Sequence, residues 1–136
     1  MKNVTLAESY LEKAKVRLRM IKFLLKEGAY SDVIREAQEA VEPALKGMLR
    51  KLGIEPPKQH DVGYLLVEYK SKLPDEVKNK VDDIANISKW LRKESEFSFY
   101  GDVDFIPTLE YKKKDGEKAL KDLEIVIDAA EKVILT

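Results

Sequence analysis

From Thr5 to Glu27 the apolar residues Leu6, Tyr10, Leu11, Ala14, Leu18, Ile21, Leu24 and Leu25 recur at steps of three and four. A half-buried strand needs steps of two, so this spacing commits the segment to an amphipathic helix, stopped by "EGAY" at Gly28. The rhythm returns from Ser31, the expected N-cap, to Gly53. There Val33, Ala37, Ala40, Val41, Ala44, Leu45, Met48 and Leu52 line one face, and Arg35, Gln38, Glu39, Glu42 and Lys46 the other. Pro43 lies inside this second helix and cannot donate to its ladder, which predicts a local kink.

"IEPPKQH" reads as a connector. Asp61 is placed to cap a short helix carrying Val62, Leu65, Leu66 and Tyr69, which ends before Pro74. "PDEV" opens a long helix from about Asp75 to Tyr100. "GDVDFIP" is irregular, with Gly101 as the stop signal and Pro107 opposing immediate regrowth. A last helix runs from about Lys112 to Ile134. No repeat or interdomain linker interrupts the chain. The expected fold is all-α, an up-and-down bundle of four long helices and one short one, forming one domain over residues 1–136. A chain of this length buries roughly two-thirds of its unfolded surface, enough for a core without staples.

The chain holds no Cys and a single His, which argues against disulfides, thiolate chemistry and a conventional metal cluster. No apolar run approaches membrane-span length, so a cytoplasmic protein without a membrane segment is expected. Dense charge without Cys also suits a thermophile. Lys+Arg and Asp+Glu are both 25, so any contact with nucleic acid has to come from a local patch.

The late helix carries large aromatics on two sides. Val77, Val81, Ile84, Ser88, Leu91, Ser95 and Phe99 form its core stripe, while Trp90 and Phe97 fall on nearly the opposite face. A second cover is therefore required, and another copy of the chain supplies it in the homodimer expected through Trp90 and Phe97; an aromatic pair tucked under the following loop is the alternative. Isolated glycines make no phosphate loop. His60 in "KQHD" fits either a turn or an acid–base role, and the basic run Lys112–Lys114 either a solvated loop or a phosphate contact. Glu39/Glu42 and Asp82/Asp83 are carboxylate pairs that solvated helix faces also produce.

"LKEGAYSDVIREAQEAVEPALKGMLRKLGIEPPKQHDVGYLL", then "LPDEV", then "WLRKESEFSFYGDVDFIP" together resemble the HEPN domain, especially its small stand-alone archaeal and bacterial members. The likeness spans nearly the whole chain. It implies a helical bundle, commonly homodimeric, with no cofactor. Many members are metal-independent RNases acting as toxins, through an Arg followed after four to six residues by His. A subgroup is paired with a minimal nucleotidyltransferase antitoxin that adenylylates a Tyr after that His; other members are described as nucleotide-binding or scaffold modules.

This chain departs from the catalytic pattern. Aligned on Tyr100, Ser98 stands where the His is expected and Lys93 where the Arg is; from Arg92, positions 97–99 read Phe, Ser, Phe. Lys lacks the planar fork of Arg, and Ser does not titrate near neutrality. Three functions remain open. One is a dimeric module holding nucleotide or RNA phosphate with Arg92, Lys93, Ser98, Tyr100, Asp102, Glu39 and Glu42. Another is an RNase toxin with a divergent site built on Arg92, Lys93, Ser98 and Tyr100. The last is a structural dimer that binds a partner protein.

Overall fold

The computed structural model describes residues 5–136. The long helices are α1 (Leu6–Lys26), α2 (Tyr30–Lys51), α5 (Val81–Phe99) and α7 (Lys113–Ile134). Shorter ones are α3 (Gly63–Glu68), α4 (Asp75–Lys78) and α6 (Pro107–Glu110), with a 3₁₀ turn at Lys70–Lys72. No strand occurs among the described residues, so the all-α bundle of four long helices holds. The extra short helices are one-turn pieces of connecting segments.

Helix α2 is the centre: it packs against α1, α5 and α7. Ala37, Ala40 and Ala44 on its inner face are fully buried, and their small side chains let the neighbouring helices close in. Leu45, Met48, Leu66, Ile84, Leu91 and Leu123 fill the space between. Burying a side chain of this size contributes about 1.5–3 kcal/mol.

The structure corrects four sequence expectations. The helix expected from Asp75 to Tyr100 is interrupted at Asn79–Lys80, where the Lys80 N–H bonds the Val77 carbonyl at 2.9 Å before α5 begins. Val77, Val81 and Ile84 stay in phase across this break, so the apolar pattern does not register it. Pro107 starts a helix instead of preventing one, at the first-turn position where its missing N–H costs nothing. Ser31 lies inside α2, and Ala29 is the N-cap. Phe99, expected on the core stripe, is 51% exposed, while Ser98 beside it is buried.

The end of α5 is tightly specified. Gly101 takes φ +69°, and its N–H bonds the Phe97 carbonyl at 3.0 Å, closing the helix in a left-handed cap. Asp102 and Phe105 then exchange backbone hydrogen bonds of 2.8 and 3.0 Å. This tight turn lays the Phe105 ring between Phe97 and Tyr111, 5.6 Å from each.

Candidate functional site

Helix α5 has its polar residues on different strips. Ser88, Arg92 and Phe99 share one, since four and seven residues are each close to whole turns. Lys93 and Tyr100 lie about 100° further round, on the outward side. Arg92, Lys93 and Tyr100 are all exposed. Ser98 is different: its hydroxyl is buried and donates to the Ser95 carbonyl at 2.9 Å. Asp102 is spent locally, accepting from the N–H of Val103 at 2.5 Å.

The Arg92 strip borders the polar ridge of α2. The Arg35 guanidinium sits 4.4 Å from the centre of the Phe99 ring and 3.5 Å from the Glu39 carboxylate. Two turns along α2 from Arg35, Glu42 Oε1 meets Lys46 Nζ at 3.2 Å and His60 Nδ1 at 2.9 Å. The His60 loop is fastened by Asp61, whose Oδ1 accepts from the Ser88 hydroxyl at 2.8 Å and the Gly63 N–H at 3.3 Å. Gly63 touches α5 so closely that a Cβ there would lie 2.9 Å from the Ala85 Cα.

On the other flank of the ridge, a cleft of about 290 Å³ separates α1 from α2. Tyr10, Lys13 and Arg17 of α1 face Glu39, Pro43 and Lys46 across it. Pro43 stays inside α2 without an N–H to give the Glu39 carbonyl. The Arg17 Nε is buried and has no hydrogen-bond partner among the described residues. Glu39 and Glu42 are already paired with Arg35, Lys46 and His60. Lys13, Arg17 and Arg92 meet no carboxylate among the described residues.

The ridge thus brings together Glu39 and Glu42 of the expected set and adds Arg35, Lys46, Phe99 and His60, with Arg92 on the same α5 strip as Phe99. Helical periodicity puts Arg35 and Lys46 on the same polar face as Glu39 and Glu42 without giving them a role. Their i, i+4 spacing from Glu39 and Glu42 is the signal that could have found them. His60's approach to α2 has none, because it depends on the course of the loop.

The other face of α5 is partly covered from within. Lys118 Nζ lies 3.8 Å from the Trp90 ring centre, and Phe97 leans on Phe105 yet stays 45% exposed. Tyr111 joins this cluster, its hydroxyl donating to Glu94 Oε2 at 2.7 Å. Burial, aided by that carboxylate, raises the tyrosine's pKa above its ordinary value. Among the described residues no group of three or more His, Asp or Glu side chains converges in a metal-binding arrangement. No described helix is long and apolar enough to cross a membrane.

A family model for the HEPN domain matches residues 7–133. A candidate toxin of Methanocaldococcus jannaschii is 30% identical over 133 residues, which cover 93% of this chain and 86% of that protein. The crystal structure of an archaeal HEPN homologue superposes with a TM-score of 0.71 at 22% identity, covering 94% of this chain and 97% of that one.

Proposed function

The chain belongs to the HEPN domain family, and on that premise we propose that it is a one-domain, homodimeric module that binds RNA through its phosphates along the α2 ridge. The observation that carries this reading is the set of unpaired cations beside the ridge. The ridge neutralises itself, because Glu39 and Glu42 hold Arg35, Lys46 and His60. Lys13 and Arg17 on one side and Arg92 on the other are left free to neutralise phosphate. This is the local patch that a chain of zero net charge requires. Exposed Phe99 and Tyr100 at the end of α5 supply ring faces for unpaired bases, a contact worth about 1–3 kcal/mol per base. Lys93 and Tyr100 extend the surface outward, and Asp102 fixes the turn beside them.

The test is binding of a labelled single-stranded oligoribonucleotide by the wild-type protein, by Arg92→Ala and by the Arg17→Ala/Arg92→Ala double variant. Removing each cation is expected to weaken binding and to flatten its salt dependence by about one unit for every phosphate that the cation neutralised. Unchanged affinity and salt slope in the double variant would remove the reading.

A second reading is that of a toxin restrained by a nucleotidyltransferase antitoxin that modifies Tyr100. Tyr100 is 73% exposed, as a modification target must be, and the methanogen relative is itself a candidate toxin. Mass spectrometry of the chain co-expressed with its neighbouring gene product tests it: an adenylyl group on Tyr100 supports the reading, and an unmodified chain opposes it.

A further inference from the structure

We infer that the cleft between α1 and α2 recognises RNA ends: Lys13 and Arg17 hold the terminal phosphomonoester of a strand in preference to a phosphodiester within it. The inference rests on the RNA reading above and adds a specificity to it. The cleft is shaped by how the two helices pair. At Gly47, α1 comes so near that a Cβ would lie 3.1 Å from the Ala7 carbonyl oxygen and 3.3 Å from the Tyr10 Cβ. Tyr10 marks that end of the cleft, and Lys13 and Arg17, about one and two turns further along α1, continue its wall. About 290 Å³ remains between this wall and Glu39, Glu42, Pro43 and Lys46.

The two walls ask different things of a ligand. On α2, Glu42 and Lys46 hold each other at 3.2 Å with side chains only 15% and 19% exposed, and Glu39 is held by Arg35. Pro43 has no N–H to give the Glu39 carbonyl. This wall is spent on charge and offers acceptors, which suit ribose hydroxyls and not a second phosphate. On α1, Lys13 and Arg17 meet no carboxylate among the described residues. The Arg17 Nε is also buried without a hydrogen-bond partner. A guanidinium met edge-on gives Nε–H and one terminal N–H as a parallel pair to two oxygens of one phosphate, which satisfies that donor.

Charge then selects the kind of phosphate. Lys13 and Arg17 bring two positive charges that no carboxylate balances. A phosphomonoester carries about −1.5 to −2 at pH 7 and three acceptor oxygens. A diester carries a single negative charge, so only the terminal group balances both cations. Two merely solvated cations on a helix flank would rank the phosphates of a strand no differently from one another.

The experiment measures, by anisotropy, the binding of one internally labelled single-stranded oligoribonucleotide carrying a 5′-phosphate, a 3′-phosphate, or hydroxyls at both ends. Expected for the wild type is about 10- to 100-fold tighter binding of a phosphorylated strand than of the hydroxyl strand, as for hydrogen bonds to a charged group. Lys13→Gln and Arg17→Gln should each bring that ratio toward one. Lys13 is exposed, so its variant decides the matter if Arg17→Gln folds poorly. Arg92→Ala should weaken all three strands alike and leave the ratio standing. Adenosine 5′-monophosphate and inorganic phosphate, added as competitors, should displace the phosphorylated strand only in large excess. Equal affinity for the three strands, or a ratio that survives both Gln variants, overturns the inference while RNA binding stands. Displacement by the mononucleotide at concentrations comparable to the strand makes a free monoester the ligand and overturns the assignment to an RNA end. If none of the strands binds, the underlying reading falls, and this inference with it.

Discussion

The Arg35 guanidinium stacks 4.4 Å from the centre of the Phe99 ring, joining the polar ridge of α2 to the last turn of α5. Phe99 occupies the seventh position after Arg92, one of those at which the family resemblance led a histidine to be expected. Both residues lie on one strip of α5, and Phe99 is half exposed, so the position accepts a polar ring without a cavity. Phe99→His is therefore expected to give metal-free RNA cleavage about 10²-fold above the wild-type protein. No gain in a gel assay would place the phosphate away from the end of α5.

Tyr111 holds the α6–α7 junction to α5 through its bond to Glu94. Tyr111→Phe is expected to lower stability by about 1–2 kcal/mol in urea unfolding, somewhat below the range for buried bonds to charged groups because Glu94 is partly solvated.

The same residue carries a pH dependence. Its folded pKa is raised, so the folded chain keeps a proton that the unfolded chain releases above the ordinary tyrosine range near 10. Stability from this group is fully present below pH 10 and is lost as pH rises toward the folded value. Between wild type and Tyr111→Phe the stability gap should therefore narrow above about pH 10. A gap that stays constant there would contradict the assignment.

Gly63→Ala forces a Cβ to within 2.9 Å of the Ala85 backbone, where neither side can yield cheaply. The expected cost is about 1–3 kcal/mol. Because Gly63 and Asp61 fasten the same loop, the His60 ring signals in an NMR spectrum should shift as well. Wild-type stability and unmoved His60 resonances would show that the approach is looser than described.

Val103 is 91% exposed among Phe99, Tyr100, Ile106 and Leu109, all at least 49% exposed. Val103, Ile106 and Leu109, together with Phe97, are the surface on which we propose that the homodimer closes, leaving Phe99 and Tyr100 open. Val103→Asp disturbs nothing within the protomer's core, so it is expected to convert dimer to monomer in sedimentation at unchanged helicity. A dimer that survives the charge would move the interface elsewhere, toward Trp90.

Periodicity made the bundle legible because each long helix has a continuous apolar stripe, and Leu11, Ala37, Leu91 and Val126 are buried as their spacing requires. It misled where two adjacent residues compete for one position. Ser98 and Phe99 could each have closed the α5 stripe, and the small hydroxyl went inward because it satisfies itself on the Ser95 carbonyl. The candidate site was legible by halves. Arg92, Glu39 and Glu42 stand on helices whose faces can be counted from the sequence. His60 stands on a loop, and its meeting with Glu42, eighteen residues away, is decided by where Asp61 and Gly63 dock.

The central position of α2 also sets an order of assembly. Its contact with α1 closes across a loop of a few residues, a local pairing with little entropy to overcome. Its contact with α7 joins segments separated by more than half the chain. During synthesis the α1–α2 hairpin is thus free to form with the inner side of Ala37, Ala40 and Ala44 still open to water. The polar ridge lies on the opposite side of that hairpin, so its charges are spaced before α7 packs against it.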